Sequence, residues 1–495
     1  MIDFCTIKRY HQGKVVRPVR ADHGGTVMKQ QLMEQIDKAI LETRPALVRD
    51  TIKMVNIKSV KSEPLPGAPF GEGPRKVLDA ALEMGRDAGF FTEDYGVGVV
   101  SLAMQEGQPD LGIWLHGDVV PEGDGWSFEP YNALEYKDCV VGRGATDNKG
   151  QMMAVFHLLK IFKDLGVSLK YNPAIYVGSN EETGMKDLKG LPDNPDARGF
   201  INVCTPPRMS LVPDSSFPVG YGGKGGLNIR LRSKTPVHGF TFIAGQDEAP
   251  GRAEAVFNAA DLPENLPNCT VETGEKTVVW AHTPPRHGAN PDPNGNMITR
   301  LCEALLDSGA VEAQDKPLLD FLRRVSGDIY GQLFGIATDT PPMKPLTVFS
   351  KRVDCEDGYL TFHLNIRYPI GITYEQIVER VTAAAGENGF EVEKSVRGID
   401  PYLMDPEWPI LRMVAKIANE ITGDNKAPYL LSGGTYAHIL PNALACGMDG
   451  CKPPEDFPKG RGGAHGIDEV VSIERLQRAM RIYARILLEL NEMDW

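Results

Sequence analysis

A chain of 495 residues is too long for one compact core and fits two or three domains, while 42% apolar and 24% charged residues exclude a disordered or fibrous protein. A net charge of −13 without any Lys/Arg run argues against a nucleic-acid partner. Eight cysteines with no CxxC spacing signal neither a disulfide framework nor a zinc finger, and reduced cytoplasmic thiols are the simplest reading. The chain opens without an apolar signal region and nowhere runs to about 18 apolar residues, so neither secretion nor a membrane span is expected.

Residues 1–27 lack periodicity and are expected to form an N-terminal extension. Leu32, Ile36 and Ile40 then recur at helical spacing, and Pro45 suits the first turn of a helix carrying Leu47, Val48, Ile52 and Val55. A third helix follows Pro74, with Val77, Leu78, Ala81 and Leu82 inward and Gly89 as its stop. Val97 to Ala103, Leu111 to Leu115 and a segment ending at Val141 read as strands. After GRGATDNKG, Met153, Phe156, Leu159 and Phe162 keep helical spacing, which puts Asp147 at a strand-to-helix junction. Asn172 to Val177 is a further strand, followed at once by SNEETG. Strand, helix and strand, each ending in polar residues, predict an α/β domain with a mixed, mostly parallel sheet flanked by helices and a site beyond the carboxyl ends of its strands.

From Gly226 the pattern changes to alternating segments, LNIRLRS and YLTFHLNIRYP, with the helical pattern MITRLCEALL between them. Alternation suits an antiparallel sheet with one exposed face. A second, α+β domain is therefore expected over 222–400, inserted between 28–221 and 401–495 of the first. LRMVAKIANEITG and Ser472 to Asn491, with Ile473, Leu476, Met480, Tyr483 and Leu487 on one side, return to helix. Gly220, Gly222 and Gly225 fit GxGxxG, yet a strand-like segment follows where a dinucleotide site requires a helix.

His116 and Asp118 close the Leu111 strand, and residues two apart in a strand share a face, so an imidazole and a carboxylate can converge on one cation. Taken alone, such residues at a strand end are more often a hydrogen-bonded pair than a metal site. Asp147 at a second junction, Glu181 and Glu182 at a third and Asp214 in LVPDSSFPV at a fourth favour a metal. Adjacent carboxylates at the end of a buried strand repel and lose hydration unless a cation or a proton offsets them. His465, in the Gly-rich GRGGAHGIDE loop, supplies a second imidazole. These donors suffice for two metals sharing a carboxylate and suit zinc or, by availability, cobalt or manganese.

In order along the chain, HGDVVP, GDGW, GRGATDNKG, SNEETG, PDSSFPV with KGG, RHGANP, NIRYP, SGGTYAH and AHGIDE resemble the dinuclear zinc aminoacylase, desuccinylase and dipeptidase superfamily, and within it the bacterial dipeptidase V group of carnosinase-like enzymes. The resemblance runs from about Met28 to the C-terminus. It implies that Asp147 bridges two zinc ions, with His116 and Asp214 on one and Glu182 and His465 on the other. Asp118 would orient His116 from behind, and Glu181 would be the general base toward the bridging water. The resemblance makes His287, in the inserted domain, the donor that stabilises the tetrahedral oxyanion. It makes Arg367 the guanidinium that grips the substrate carboxylate, with Ser432, Gly433 and Gly434 lining the same subsite. On the residues alone, His287 reads as a solvated loop histidine with His282 close by, Arg367 as an exposed strand residue and SGGT as a turn. His157 is expected to be structural, and KGRGG at Lys459 to keep the His465 loop flexible. Three positions depart from the family pattern: Gln151 where proline is usual, His438 where arginine is frequent and Asp247 where asparagine is common. They bear on substrate preference rather than on the ligands.

The expectation is a cytoplasmic metallodipeptidase acting on short unblocked peptides, its lid closing over the substrate. By the same resemblance a lid of this length works within one chain, so a monomer is expected. An N-acyl amino acid deacylase on the same centre is the enzymatic alternative. A peptide-binding homologue without turnover is the other, and retention of Glu181 and all five ligand candidates speaks against it.

Overall fold

Every residue of the strand Leu111–His116 is buried, and alternation divides its side chains between two faces. Leu111, Ile113 and Leu115 pack into an apolar cluster with Met153, Phe156 and Leu159 of the helix Gly150–Asp164. Trp114 points the other way, into a cluster with Tyr176, Phe200 and Tyr436. The computed structural model describes residues 23–190, 198–245, 252–258, 262, 266–282, 296–448 and 453–495.

Around this strand runs a sheet in the order Phe91–Asp94, Val99–Ala103, Pro173–Gly178, Leu111–His116, Met209–Pro213, Ala443–Cys446, Gly220–Gly223 and Tyr402–Leu403, with Tyr429–Leu431 also on Gly220–Gly223. Pairing is parallel from Pro173–Gly178 through to Ala443–Cys446. It is antiparallel among Phe91–Asp94, Val99–Ala103 and Pro173–Gly178, and where Gly220–Gly223 meets Ala443–Cys446 and Tyr402–Leu403. Parallel strands require crossovers and cover on both faces. On one face Gly150–Asp164 packs with Ile473–Leu490, His23–Glu42 and Arg44–Val55. The mixed α/β sheet expected from the sequence is present, parallel at its centre and again where Tyr429–Leu431 pairs with Gly220–Gly223.

A second sheet is antiparallel throughout, in the order Thr270–Thr273, Thr277–His282, Arg252–Phe257, Phe240–Ala244, Thr347–Glu356, Tyr359–Tyr368, Gly225–Ser233 and Phe390–Ile399. Leu227, Ile229 and Leu231 are buried while Asn228 is exposed, because one face carries the helices Met297–Ser308, Lys316–Gly327 and Tyr374–Glu387. Each such aliphatic side chain contributes roughly 1.5–3 kcal/mol when buried. A one-residue slip would expose the whole set, so the alternation fixes the register. Its core is a cluster separate from that of the first sheet.

Pro74 lies in the first turn of Glu72–Asp87, and Gly89 takes φ 73 just beyond its end, as expected. Gly220–Gly223 and Gly225–Ser233 are both strands, so the GxGxxG match opens no helix. The first helix begins at His23, inside the stretch expected to be an extension, and residues 1–22 lie outside the described residues.

Candidate metal centre

His116 ends its strand directly beside Gly178 of the neighbouring parallel strand. Only glycine fits there, because a Cβ would run into the Tyr436 hydroxyl and come within 2.5 Å of Asp187 Oδ2. Past the strand, Asp118 turns its carboxylate to the SNEETG segment: Oδ1 accepts from Glu181 N and Oδ2 from Glu182 N, each at 3.1 Å. One buried carboxylate thus sets the spacing of two others. His116 Nδ1 lies 3.0 Å from the Asp118 carbonyl oxygen, and donation to it leaves Nε2 to face the remaining acids.

Asp147 sits in the tight turn Ala145–Lys149 that leads into Gly150–Asp164; its φ −122 and ψ 92 leave the helical region, and the Asp147–Asn148 peptide is cis. Its Oδ1 is 2.9 Å from His116 Nε2 and its Oδ2 is 3.2 Å from His465 Nε2. His465 Nε2 is also 3.0 Å from Glu182 Oε2, and His116 Nε2 is 3.8 Å from Asp214 Oδ1. One carboxylate therefore stands between two imidazoles, and each imidazole has a further carboxylate of its own. Single donor atoms of His116, Glu181 and Asp214 lie within 4.8 Å of one another, as do those of His116, Asp147 and Glu182. Of the residues singled out in the sequence, His116, Asp118, Asp147, Glu181, Glu182, Asp214 and His465 come together here.

Five carboxylates against two imidazoles leave an excess of negative charge in a buried place, and protons absorb it. Burial and Asp214 lift Glu181 well above the carboxylate range, burial and Asp147 push Asp214 up to about 6, and burial raises Glu182 against the pull of His465. Asp147 moves the other way, since His116 and His465 outweigh its burial. Asp147 and Glu182 push His465 up to about 11; burial opposes the same change at His116, but Asp118, Asp147 and Asp214 prevail and raise it well above its ordinary value. Divalent cations would take the place of those protons, because imidazole and carboxylate bind metals deprotonated. Glu181 Oε1 is buried without a hydrogen-bond partner among the described residues, as suits a carboxylate that faces a bound group rather than the protein. Two imidazoles with carboxylates on both sides of a shared one fit a pair of divalent cations of the zinc, manganese or cobalt kind.

Arg143 and Glu469, which no expectation from the sequence singled out, hold the cluster in place. Glu469 is fully buried: its Oε1 accepts from Thr146 N at 2.8 Å and Asp147 N at 2.9 Å, its Oε2 from Gly144 N at 3.0 Å and Arg143 Nη1 at 2.7 Å. Arg143 Nη2 donates to the His465 carbonyl at 3.2 Å. The pair ties the Asp147 turn to the His465 loop. Its signal was present, with Arg143 inside GRGATDNKG and Glu469 closing AHGIDE. Asp187 accepts from Ser179 N at 2.8 Å, from Asn180 N at 3.0 Å and from the Tyr436 hydroxyl, and so fixes the other end of the SNEETG segment.

KGRGG does not loosen the His465 loop. Arg461 Nη1 donates to Asp468 Oδ2 at 2.7 Å, Ser127 Oγ at 2.7 Å and Gly125 O at 2.8 Å, pinning it. His157 is buried and its Nε2 lies 3.1 Å from Asp50 Oδ2, in keeping with a structural role. Gln151 Oε1 accepts from Met448 N at 2.9 Å. Arg367 stands apart from the metal cluster, half-buried on Tyr359–Tyr368, with Nε donating to Asn365 Oδ1 at 3.2 Å. Ser432 and Gly433 are exposed, while Gly434 packs so that a Cβ would lie 2.6 Å from Ile399 Cδ1 and 3.4 Å from Met185 Cε. His287 and Asp247 lie outside the described residues.

A family model described as peptidase family M20/M25/M40 matches residues 113–489. The Bacillus subtilis (strain 168) protein YtjP, provisionally named a dipeptidase, is 28% identical over 485 residues, covering 91% of this chain and 98% of its own length. Among solved structures, the dipeptidase Dug1p of Saccharomyces cerevisiae aligns with a TM-score of 0.57 at 14% identity, covering 94% of this chain and 99% of its own. Human carnosine dipeptidase 1 aligns at 0.53 and 15% identity, covering 93% and 100%. At such identities the likeness to the two structures is one of fold.

Proposed function

This chain belongs to the M20/M25/M40 peptidase family, and on that premise we propose that it hydrolyses the amide bond of dipeptides and other short unblocked peptides with the help of two divalent cations. The observation that carries the reading is the placement of Asp147, one carboxylate oxygen toward each imidazole. A relative provisionally named a dipeptidase over nearly the whole chain supports the substrate class. We assign His116 and Asp214 to one cation, Glu182 and His465 to the other and Asp147 to both, with zinc the metal that the donors suit best and manganese or cobalt able to replace it.

When bound, such a pair polarises a substrate carbonyl and acidifies a water at the site. Glu181 takes the proton of the attacking water and returns it to the leaving amine, a task suited to a buried carboxylate with a raised proton affinity. Asp118 keeps that carboxylate in place through the Glu181 N–H. We read 222–400 as a lid inserted between 28–221 and 401–495, from which His287 donates to the tetrahedral oxyanion. Arg367 grips the substrate carboxylate as a bidentate guanidinium, with Ser432, Gly433 and Gly434 beside it. No helix among the described residues is long and apolar enough to cross a membrane. With a net charge of −13, the reading is a cytoplasmic monomer that binds neither nucleic acid nor membrane.

The test is a substrate panel with metal analysis. Protein loaded with zinc or manganese is expected to hydrolyse free dipeptides faster than N-acyl amino acids, with close to two metals per chain; turnover confined to N-acyl amino acids would make it a deacylase instead.

A further inference from the structure

Where the antiparallel sheet meets the SGGT loop, positive charge collects without an acidic partner among the described residues. Thr347, Arg367 and Gly226 are directly paired across three neighbouring strands. Lys224 lies two residues before Gly226, and Lys344 three before Thr347. Lys224 Nζ donates to the carbonyl of Pro345, next to Lys344. The Arg367 guanidinium lies over Gly226, where a Cβ would be 2.8 Å from Nη1. Lys224, Arg367 and Lys344 therefore share one end of the sheet. Among the described residues no carboxylate forms an ion pair with any of the three, and the side-chain partner of Arg367 is the neutral Asn365. Lys224 and Arg367 are half-buried, and burial, followed by the charges of Lys344 and Arg367, pushes Lys224 down to about 8.

This end of the sheet is joined to the catalytic end. A Cβ on Gly223, the neighbour of Lys224, would lie 2.6 Å from Nε2 of His438, which belongs to the turn that follows SGGT. Gly434 of that loop meets Met185, whose N–H donates to the carbonyl of Asn180 beside Glu181. His438 adds no charge of its own, since burial, with Arg367 and Lys189 facing it, pushes it down to about 4.

Half-buried cations that repel one another, with no counter-ion among the described residues, are stabilised by an anion brought from outside. The single carboxylate of an ordinary dipeptide offsets one charge of the three. We infer that this subsite takes a C-terminal residue with two carboxylates, so that dipeptides ending in Asp or Glu are the preferred substrates. Arg367 holds the main-chain carboxylate with its planar fork, Lys224 meets the side-chain carboxylate as a point charge, and Lys344 adds attraction from the exposed rim. The inference rests on the dipeptidase reading above and on its assignment of Arg367.

The experiment compares kcat/KM for Ala-Glu and its uncharged isostere Ala-Gln, and in parallel for N-acetyl-Glu and N-acetyl-Gln, in the wild type and in the Lys224→Gln and Lys344→Gln variants. The wild type is expected to favour the acidic member by about tenfold. The ratio should fall toward one in Lys224→Gln, fall less in Lys344→Gln, and shrink as salt screens the charges. Equal rates on Ala-Glu and Ala-Gln overturn the inference, as does a preference that survives both substitutions. Turnover of the acetylated series alone would defeat the dipeptidase reading, while the Glu to Gln ratio within that series still decides the subsite. Calorimetric binding of free glutamate against glutamine to the metal-loaded protein gives the same comparison without turnover.

Discussion

Glu181 and Glu182 are neighbours in the chain, yet their surroundings separate them. Glu182 has His465 within 3.0 Å, whereas Glu181 keeps a buried oxygen with no partner. An unengaged carboxylate beside the proposed ligands is what proton transfer requires, so Glu181→Ala is expected to lower kcat by about 100-fold or more. Elemental analysis should find the metal content retained, and near-normal turnover would sink the role. Glu469 acts through others: its two oxygens receive four donors, two from the Asp147 turn, one from Gly144 just before it and one from the Arg143 side chain. Glu469→Gln turns one of those acceptors into a donor and sets it against N–H groups. Metal affinity, measured by competition with a chromophoric chelator, should fall by about 10- to 100-fold, the range seen when groups supporting ligands are lost. A lower melting temperature with unchanged metal affinity would make the Arg143–Glu469 pair a structural brace only.

At the level of elements, the strand Pro173–Gly178 ends in a glycine because two side chains already fill the space. Gly178→Ala would force the Tyr436 hydroxyl and Asp187 aside. Crowding of this kind costs about 1–3 kcal/mol, and a thermal melt should show the loss; an unchanged melt would mean that both groups can move away freely. What was legible in the sequence follows from range. His116 is visible because it ends a local apolar strand pattern, and Asp147 because a strand pattern turns into a helical one around it; Asp118, expected to close the same strand, lies past its end and turns its carboxylate to Glu181 N and Glu182 N instead. The Arg143–Glu469 pair joins positions 326 apart, and nothing in the periodicity of either motif requires the other. KGRGG suggested a loose loop because glycines dominate it, but Arg461 found three acceptors. The conformational freedom of the glycines was spent in placing one side chain.

For the molecule as a whole, two sheets with separate apolar cores were readable from two periodicities, continuous burial in Leu111–His116 and alternation in Gly225–Ser233. The strand order of the first sheet was not, because Met209–Pro213 and Ala443–Cys446 pair in parallel across more than two hundred intervening residues that carry no local sign of it. Cations that bind only the folded chain should stabilise all of it, by about 2.7 kcal/mol when free metal exceeds Kd a hundredfold. A chelator should therefore lower the melting temperature and restored metal recover it; a melt indifferent to both would count against the centre. The contact of His465 with Glu182 spans 283 positions. During synthesis on a ribosome, a nascent chain that has emerged only as far as residue 460 holds one of the two imidazoles and none of the brace that Glu469 provides. Closing so long a loop is slow beside forming local helices and hairpins. The candidate metal centre is thus among the late products of folding, and an incomplete chain carries Asp147 and Glu182 without the second imidazole that meets both.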